Sequence, residues 1–529
     1  VSSAAAGVGW TAAGSSAAGS SEATGVRTEL PRLVVAAPAS GHGKTTVATG
    51  LMAALRRTGL AVSGHKVGPD YIDPGYHALA TGRPGRNLDP HLVGEELVVP
   101  LLLHGAGPAD IAVIEGVMGL YDGHIGRDGF ASTAHVARLT DSPVVLVVDI
   151  SHTSRTIAAT VLGMATYDPA VRIAGVVLNK AGSVRHSDEV RRALAPLGIP
   201  VLGVLQRDDD VTAPSRHLGL VPAAERPEAA RSLDHLAGKV AASIDLAAVV
   251  RIARSAPALP GPAWSAREAV VGGGRGSGDD DEGRPLIAVA GGRAFTFRYA
   301  ETVELLEAAG CSVAPFDPLA DEALPEGTAG IYLGGGFPEV HAADLAANEP
   351  MLRELRAATT AGVPTVAECA GLLYLCRSLD GAPMVGAIDA DAAMAPRLTL
   401  AYRRSTAVAD SVLATAGTEV TGHEFHRTAV TPPAGADGAD YAAGSGTAPA
   451  WTSSAGPEGF VTGSVHASYL HTHWAGHPAL AVRFAERVRR HARGGRPPVP
   501  GADGSFDYRE NLATHHASIC GVWVNGSVG

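Results

Sequence analysis

The chain has 529 residues, with 42 Lys+Arg against 53 Asp+Glu and a formal net charge of −11. That length allows two to four domains with cores of their own. An acidic chain with no concentrated basic run is a poor binder of nucleic acid or anionic membrane, so neither is expected as a partner. Hydrophobic residues make up 46% but aromatics only 5%, which predicts a globular core of small side chains. The four cysteines (Cys311, Cys369, Cys376 and Cys520) are too few and too scattered for a disulfide framework. They point to reduced thiols and a cytoplasmic location.

Residues 1–30 are rich in Ala, Ser and Gly and lack the basic segment and apolar run of a signal peptide. No stretch reaches about 18 uninterrupted apolar residues. A disordered N-terminal extension on a soluble chain is expected. From residue 31, short β-branched runs alternate with amphipathic segments. LVVAA (33–37), IAVIE (111–115), PVVLVVD (143–149), IAGVVLN (173–179) and IPVLGVL (199–205) read as strands covered on both faces. VATGLMAALRRT (47–58) and SDEVRRALAPLG (187–198) read as helices between them, giving a parallel-sheet α/β domain over 31–250. Residues 251–285 carry Pro, Gly and an acidic run, as a linker does. A second strand series, LIAVA (286–290), SVAPF (312–316), AGIYL (329–333) and VPTVAE (363–368), alternates with ETVELLEAAG (301–310) and LRELRAATTAG (352–362). It predicts a second α/β domain over 286–495, followed by a tail over 496–529 to which no role is given.

The first strand runs into PASGHGKTT (38–46) and then a helix. A phosphate-binding loop wants G-x-x-x-x-G-K-[ST], and only its first position departs, as Pro38. Gly41 and Gly43 let backbone N–H groups wrap a phosphate chain at a helix start. Lys44 supplies a mobile charge, the Thr45 hydroxyl can reach Mg²⁺, and Thr46 is expected to bind the nucleotide with them. Glu115 closes a buried strand at the sheet edge where ligands of such folds collect, beside the Gly-rich GVMGLYDG (116–123). Asn179 closes another and could read an adenine edge. In HKVGPDYIDPGYHALATGRPGRNLDP (65–90), Asp70, Asp73 and Asp89 lie among Gly and Pro. Together with Asp122 they could not all face a polyanion without a cationic partner, so at least one is expected to hold Mg²⁺.

In the second domain, VPTVAECAGLLYL (363–375) reads as strand, tight turn and helix with Cys369 at the turn. That geometry presents a thiol at a helix N-terminus, which lowers its pKa and suits a nucleophile. Cys376 reads as a buried structural thiol. YLGGGFPE (332–339) offers a further N–H for an oxyanion. Candidate bases lie downstream in GHEFH (422–426) and SVHASYLHTHW (464–474). His466, His471, His473 and His477 could equally be a metal cluster or polar loop residues, although no C-x-x-C pairing supports zinc.

These motifs, in this order, resemble the cobyrinic acid or hydrogenobyrinic acid a,c-diamide synthases of cobalamin biosynthesis, from about residue 32 to 490. KVGPDYIDP with NLD is the specific part, joined by APASGHGKTTVATGL, AVIEGVMGLYDG, RHLGLVPAAE (216–225), YLGGGFPEVHA, AECAGLLYL, GHEFHRT and ASYLHTHW. The resemblance implies two doubly wound domains: a dethiobiotin-synthetase-like P-loop domain and a class I glutamine amidotransferase domain. It implies Cys369 as the thiol that attacks glutamine and His471 as its base, with His473 where a His-x-Glu triad would put its acid. Gly336 and the N–H of Ala370 match the oxyanion hole. Lys44 and Thr45 match phosphate and metal binding, Asp73 and Glu115 match Mg²⁺, and Asp70, Tyr71, Asp89 and Asp122 the corrinoid side. GGRAF (291–295) and Ala370 depart from the family pattern near the glutamine pocket. The implied substrates are a corrinoid polycarboxylate, L-glutamine and ATP, with a homodimer left open. The alternative is a related glutamine-dependent ligase, such as a cobyric acid synthase or one acting on a cell-wall lipid. Ammonia made in one domain must reach an acyl phosphate in the other, so the two mouths are expected to face each other.

Overall fold

The computed structural model describes residues 27–207, 215–216, 219–220, 229–273, 283–436 and 446–495. Within the first domain, seven parallel strands form one sheet. Its order is Arg86–Leu88, Val62–Val67, Ile111–Glu115, Arg32–Ala36, Val144–Asp149, Ile173–Ala181 and Val201–Gln206. Side chains alternate across a strand, and here both faces are apolar. Leu33 and Val35 pack with Leu51 of the helix Lys44–Arg57 on one face. Val34 and Ala36 pack with Leu101 and Leu146 on the other. The carboxyl ends of the central strands therefore carry the loops that can meet a ligand.

The second domain has the expected parallel core: Ser312–Phe316, Leu286–Ala290, Thr328–Leu333, Thr365–Glu368 and Val465–Ser468, with Phe460–Thr462 added antiparallel. It also has a second, mostly antiparallel sheet that the strand pattern does not predict. That sheet is built on the long hairpin Asp391–Ala407 with Glu419–Thr431, and His471–Thr472 joins its edge. Few β-branched runs mark the hairpin, and its ladder is interrupted between Met394 and Thr399, around Pro396. Its register nevertheless matters, because it sets His423 opposite both Tyr402 and His471.

Segment 251–285 is more structured than a linker. Leu259–Pro260 pairs antiparallel with Arg27–Thr28, inside the stretch expected to be a disordered extension. Ser265 caps the helix Ala266–Gly272, which packs on Ala300–Ala308 and Pro478–Gly495. Val270 and Trp264 are its buried anchors, and these two apolar residues are hidden in the sequence by the surrounding Pro and Gly. Residues 1–26, 274–282 and 496–529, with Cys520, lie outside the described residues, as does most of RHLGLVPAAE. Among the described residues no helix is long and apolar enough to cross a membrane.

A buried ion-pair cluster joins the domains. Arg86 of the first donates to Glu301 (2.6 Å) and to Glu304 (2.5 Å) on the helix Ala300–Ala308 of the second. His104 adds a contact to Glu304 at 2.8 Å. Glu301 is only 1% exposed, so removing the guanidinium would strand a buried carboxylate. Breaking such a pair from one side typically costs about 3–5 kcal/mol. R86A should lose about that much stability, and its calorimetric trace should separate into two domain transitions. R86K should recover only part, because an ammonium cannot reproduce the forked contact. A melting profile identical to the parent's would show that the domains do not lean on this cluster.

Candidate active site

The nucleotide half-site starts at the P-loop. Gly41 and Gly43 both hold positive φ (84° and 88°), as a loop that folds its amides inward requires. At Gly43 a Cβ would also sit 2.3 Å from Nδ2 of Asn179. That amide donates to the His42 carbonyl (2.9 Å), and its oxygen accepts from the Lys180 N–H (2.9 Å). Asn179 thus braces the phosphate loop, in addition to any contact with a base. Thr46 lies in the first turn of the helix Lys44–Arg57. Lys44 reaches across to the carbonyl of Met118, whose φ of 46° marks a constrained turn in the loop after Glu115.

Thr45, Asp73 and Glu115 do come together. The Thr45 hydroxyl donates to Glu115 (2.5 Å) and lies 3.3 Å from Asp73. Sequence reasoning missed the cation among them, Lys66, from the buried strand Val62–Val67. Its ammonium binds Asp73, Glu115 (2.9 Å) and the Gly116 carbonyl (3.1 Å). Burial works against that charge, but Asp73 and Glu115 outweigh it and hold Lys66 protonated. Glu115, although buried, is kept ionised by Lys66 and by His77, whose Nε2 is 2.6 Å away. The Asp73 carboxyl is pushed up by burial and by its neighbours Asp70 and Glu115. Three hard oxygens on one point suit a divalent cation such as Mg²⁺. A lysine inside an otherwise apolar strand was the available signal for Lys66.

The remaining loop residues separate by role. Asp70 accepts from the N–H groups of Ile72 (2.8 Å) and Asp73 (3.2 Å), which fixes the start of the helix Ile72–Thr81. Asp122 is exposed and accepts from the Gly119 N–H (3.0 Å). Asp89, expected on the corrinoid side, is fully buried, and both of its oxygens are occupied. One caps the helix Pro90–Val93 through the His91 N–H (2.8 Å); the other accepts from Tyr402 of the second domain (2.7 Å).

The glutaminase half-site has the expected elbow. Cys369 ends the strand Thr365–Glu368 at φ 49°, ψ −97°, a strained conformation that costs of order 1–3 kcal/mol. It is pinned by its own N–H to Ser468 (2.7 Å) and by the Gly371 N–H to Gly334 (3.1 Å). The expectation of a lowered thiol pKa is not met. Burial pushes Cys369 up, and Glu339 adds to this, while the Ala370 N–H at the sulfur pulls the other way. The helix Ala370–Leu375 has only six residues, too few to offset that burial. Gly336 is obligatory, because a Cβ there would lie 1.9 Å from the Ala294 carbonyl in the segment GGRAF. At Gly335 a Cβ would lie 2.5 Å from Cε1 of His471, so the glycine corner rests directly on that imidazole.

His471 is 1% exposed, and burial lowers its pKa to about 3, which leaves the imidazole neutral. His473 does not orient it. Its ring packs on Tyr299 (4.1 Å between centroids) and faces Glu301 at 3.7 Å, with no hydrogen bond to His471. The carboxylate that His471 feels is Glu424, itself paired with Arg403 at 2.9 Å. That residue is the centre of GHEFH, a motif whose histidines alone suggest a base from sequence. His466 and His477 disperse to Ser411 and Thr421.

Tyr71 joins the two half-sites. From the first domain it inserts between Phe297, Tyr299, His423 and His471 of the second, with ring centroids 4.9–5.4 Å apart. Asp73 is two residues further on, at most about 7 Å along the chain. His471 and the Thr45–Glu115 cluster thus flank one short turn.

A P-loop domain sharing a seam with an amidotransferase-like α/β domain defines a glutamine-hydrolysing amide ligase. Residues 33–221 match the model of the CobQ/CobB/MinD/ParA nucleotide binding domain, and 286–479 that of the CobB/CobQ-like glutamine amidotransferase domain. The chain is 60% identical over 469 residues to a hydrogenobyrinate a,c-diamide synthase of Thermobifida fusca (strain YX), covering 87% of this chain and 97% of that one. It is 56% identical to the Streptomyces coelicolor protein of the same name (87% and 98%). A cobyrinate a,c-diamide synthase of Synechococcus is 41% identical (87% and 98%). The chain belongs to the a,c-diamide synthase family.

Asp89 gives a pH test of this seam. Burial raises its pKa from 3.8 to about 6, against the pull of Tyr402 and two backbone N–H groups. The folded state therefore binds the proton more tightly, and the carboxyl's contribution to stability is lost as pH rises from about 4 to about 6. Two pH units correspond to about 3 kcal/mol. Asparagine does not titrate, so D89N should gain on the parent by about that amount between pH 4 and pH 7. Chemical denaturation of both proteins across that range measures it, and a constant gap would mean that Asp89 stays ionised throughout.

Proposed function

We propose that this protein amidates the a- and c-acetate carboxylates of hydrogenobyrinic or cobyrinic acid, using ATP and ammonia drawn from glutamine. The observation that supports the reading is the seam at Tyr71, whose ring touches His471 of the second domain while Asp73, two residues on, meets Thr45 of the P-loop. The high identity to a,c-diamide synthases along almost their whole length supports the substrate class.

In the second domain, His471 takes the Cys369 proton as sulfur bonds to the glutamine carboxamide carbon. The oxyanion is met by the Ala370 N–H and the Gly336 corner. The proton then passes to the leaving nitrogen, the C–N bond breaks, ammonia departs, and water hydrolyses the thioester to glutamate. In the first domain the substrate carboxylate takes the γ-phosphoryl group of ATP. Lys44 and the P-loop amides hold the charge that moves. Thr45, Asp73 and Glu115 would hold Mg²⁺, which supplies charge neutralisation at the phosphates. Lys66 keeps Glu115 ionised and holds Asp73 in place. Ammonia attacks the acyl carbon, the C–O bond to phosphate breaks, and the phosphate leaves with the surplus proton. Burial favours the neutral thiol and the neutral imidazole at rest, so the activated pair forms on a change in their surroundings.

C369A should lose glutamine-dependent amidation by at least about 10³-fold, yet keep amidation supported by ammonium chloride within about twofold of the parent. Mass spectrometry of products formed from hydrogenobyrinic and cobyrinic acid reads both. Loss of the two activities together would overturn the division of labour, and a product other than a diamide would overturn the substrate assignment.

A further inference from the structure

His423 has no part in the chemistry above, yet it stands at the centre of the seam. The ladder register sets it directly opposite His471, and the two rings stack at 5.0 Å and 21°. Tyr71 meets both rings, at 5.4 Å and 29° from His423 and at 5.0 Å from His471, so the three rings form a near-equilateral triangle. It is 1% exposed, and neither of its ring nitrogens has a hydrogen-bond partner among the described residues. The same is true of both nitrogens of His471.

Burying an imidazole with no partner costs free energy, because both nitrogens give up water and receive nothing. A phenyl ring would fill the same space without that cost, so a packing role does not account for a histidine. Orphaned groups of this kind call for a specific explanation. The two stacked imidazoles leave four such nitrogens beside the tyrosine that leads to Asp73. A neutral imidazole offers one donor and one acceptor, the complement of a small neutral molecule that both donates and accepts. Ammonia is such a molecule, and it is made at His471. Burial holds His423 well below its ordinary pKa, with His471, His91 and His473 adding to the effect, so it has no proton to give to its guest.

We propose that His423 is the hand-over residue for ammonia, receiving it beside His471 and passing it along Tyr71 to the phosphate site of the first domain. No covalent bond is made or broken at the ring. Ammonia enters and leaves uncharged, and the imidazole ends as it began. His423 is thus a positioning residue, and its role rests on the proposed amidation.

The test is H423F, which keeps the ring and removes both nitrogens, with H423Q as the variant that restores polar atoms. Three rates are measured: glutamate release with all substrates present, amidation from glutamine, and amidation from ammonium chloride. The parent should release about one glutamate per amide formed. H423F should release glutamate and use ammonium chloride within about twofold of the parent, while its glutamine-dependent amidation falls at least about fivefold. Free ammonia would then account for the difference, and H423Q should recover part of the coupling. If glutamate release falls in step with amidation, in H423F or in H423Q should the first not fold, then His423 serves the base and the proposal fails. It fails equally if the glutamate-to-amide ratio of both variants stays at the parent's. A parent unable to use ammonium chloride would instead sink the proposed function itself.

Discussion

One aromatic side chain, Tyr71, fixes the geometry on which both chemistries depend. It is carried by the loop that supplies Asp70 and Asp73 to the nucleotide half-site, and it is clasped by four rings of the amidotransferase domain. A shift of the loop toward either side would move Asp73 and uncover His471 together. Asp70 limits such movement by holding the N–H groups of Ile72 and Asp73. The Arg86 cluster and the Asp89–Tyr402 bond fasten the same domain edge at two further points. All three ties are polar or aromatic. Such contacts set register between domains more sharply than an apolar patch of equal area, because a misplaced partner leaves a buried charge or hydroxyl unpaired.

Charge is managed differently on the two sides of that seam. The nucleotide side concentrates charge: a protonated Lys66 against an ionised Glu115, with Lys44 at the P-loop. Burial pulls Lys44 down to about 8, and the nearby Lys66 charge adds to that, so the negative charge of an arriving phosphate chain would hold this lysine protonated. The glutaminase side concentrates neutral groups: a thiol pushed up and imidazoles pushed down by the same burial. That contrast suits the traffic across the seam, because ammonia in neutral water exists almost entirely as ammonium and is then no nucleophile. A cationic imidazole on the route would protonate it. The acid–base state of the histidines thus follows from their depth, and depth follows from domain contact.

Much of this was legible in the chain. The P-loop, the Glu115 strand end and the Cys369 elbow each follow from local rules, where a glycine or a β-branched run leaves few alternatives. Other features were beyond local reading. The antiparallel hairpin is stabilised by cross-strand partners distant in sequence, and its polar, register-broken first strand has no period to betray it. Lys66 lies in a stretch where the aspartates stand out, and its role emerges only when the fold sets it against Glu115, 49 residues away. The segment around Trp264 and Val270 has the composition of a linker because turn residues outnumber its two anchors.

The thiol shows where a local rule and a global one conflict. A cysteine at a helix N-terminus is expected to ionise readily, and the elbow does supply one N–H to the sulfur. The dipole of six residues acts over the first turn and is worth of order 1 kcal/mol at most in exposed sites. Full burial, with Glu339, Glu368 and Glu424 in range, opposes ionisation more strongly than the dipole favours it. The elbow therefore presents the sulfur without activating it, and activation has to come from a change in surroundings. A bound glutamine beside His471 is one such change, and closure of the seam on a phosphorylated substrate is another. Only the second would tie cleavage of glutamine to the readiness of the first domain; activation by bound glutamine alone would leave the two independent.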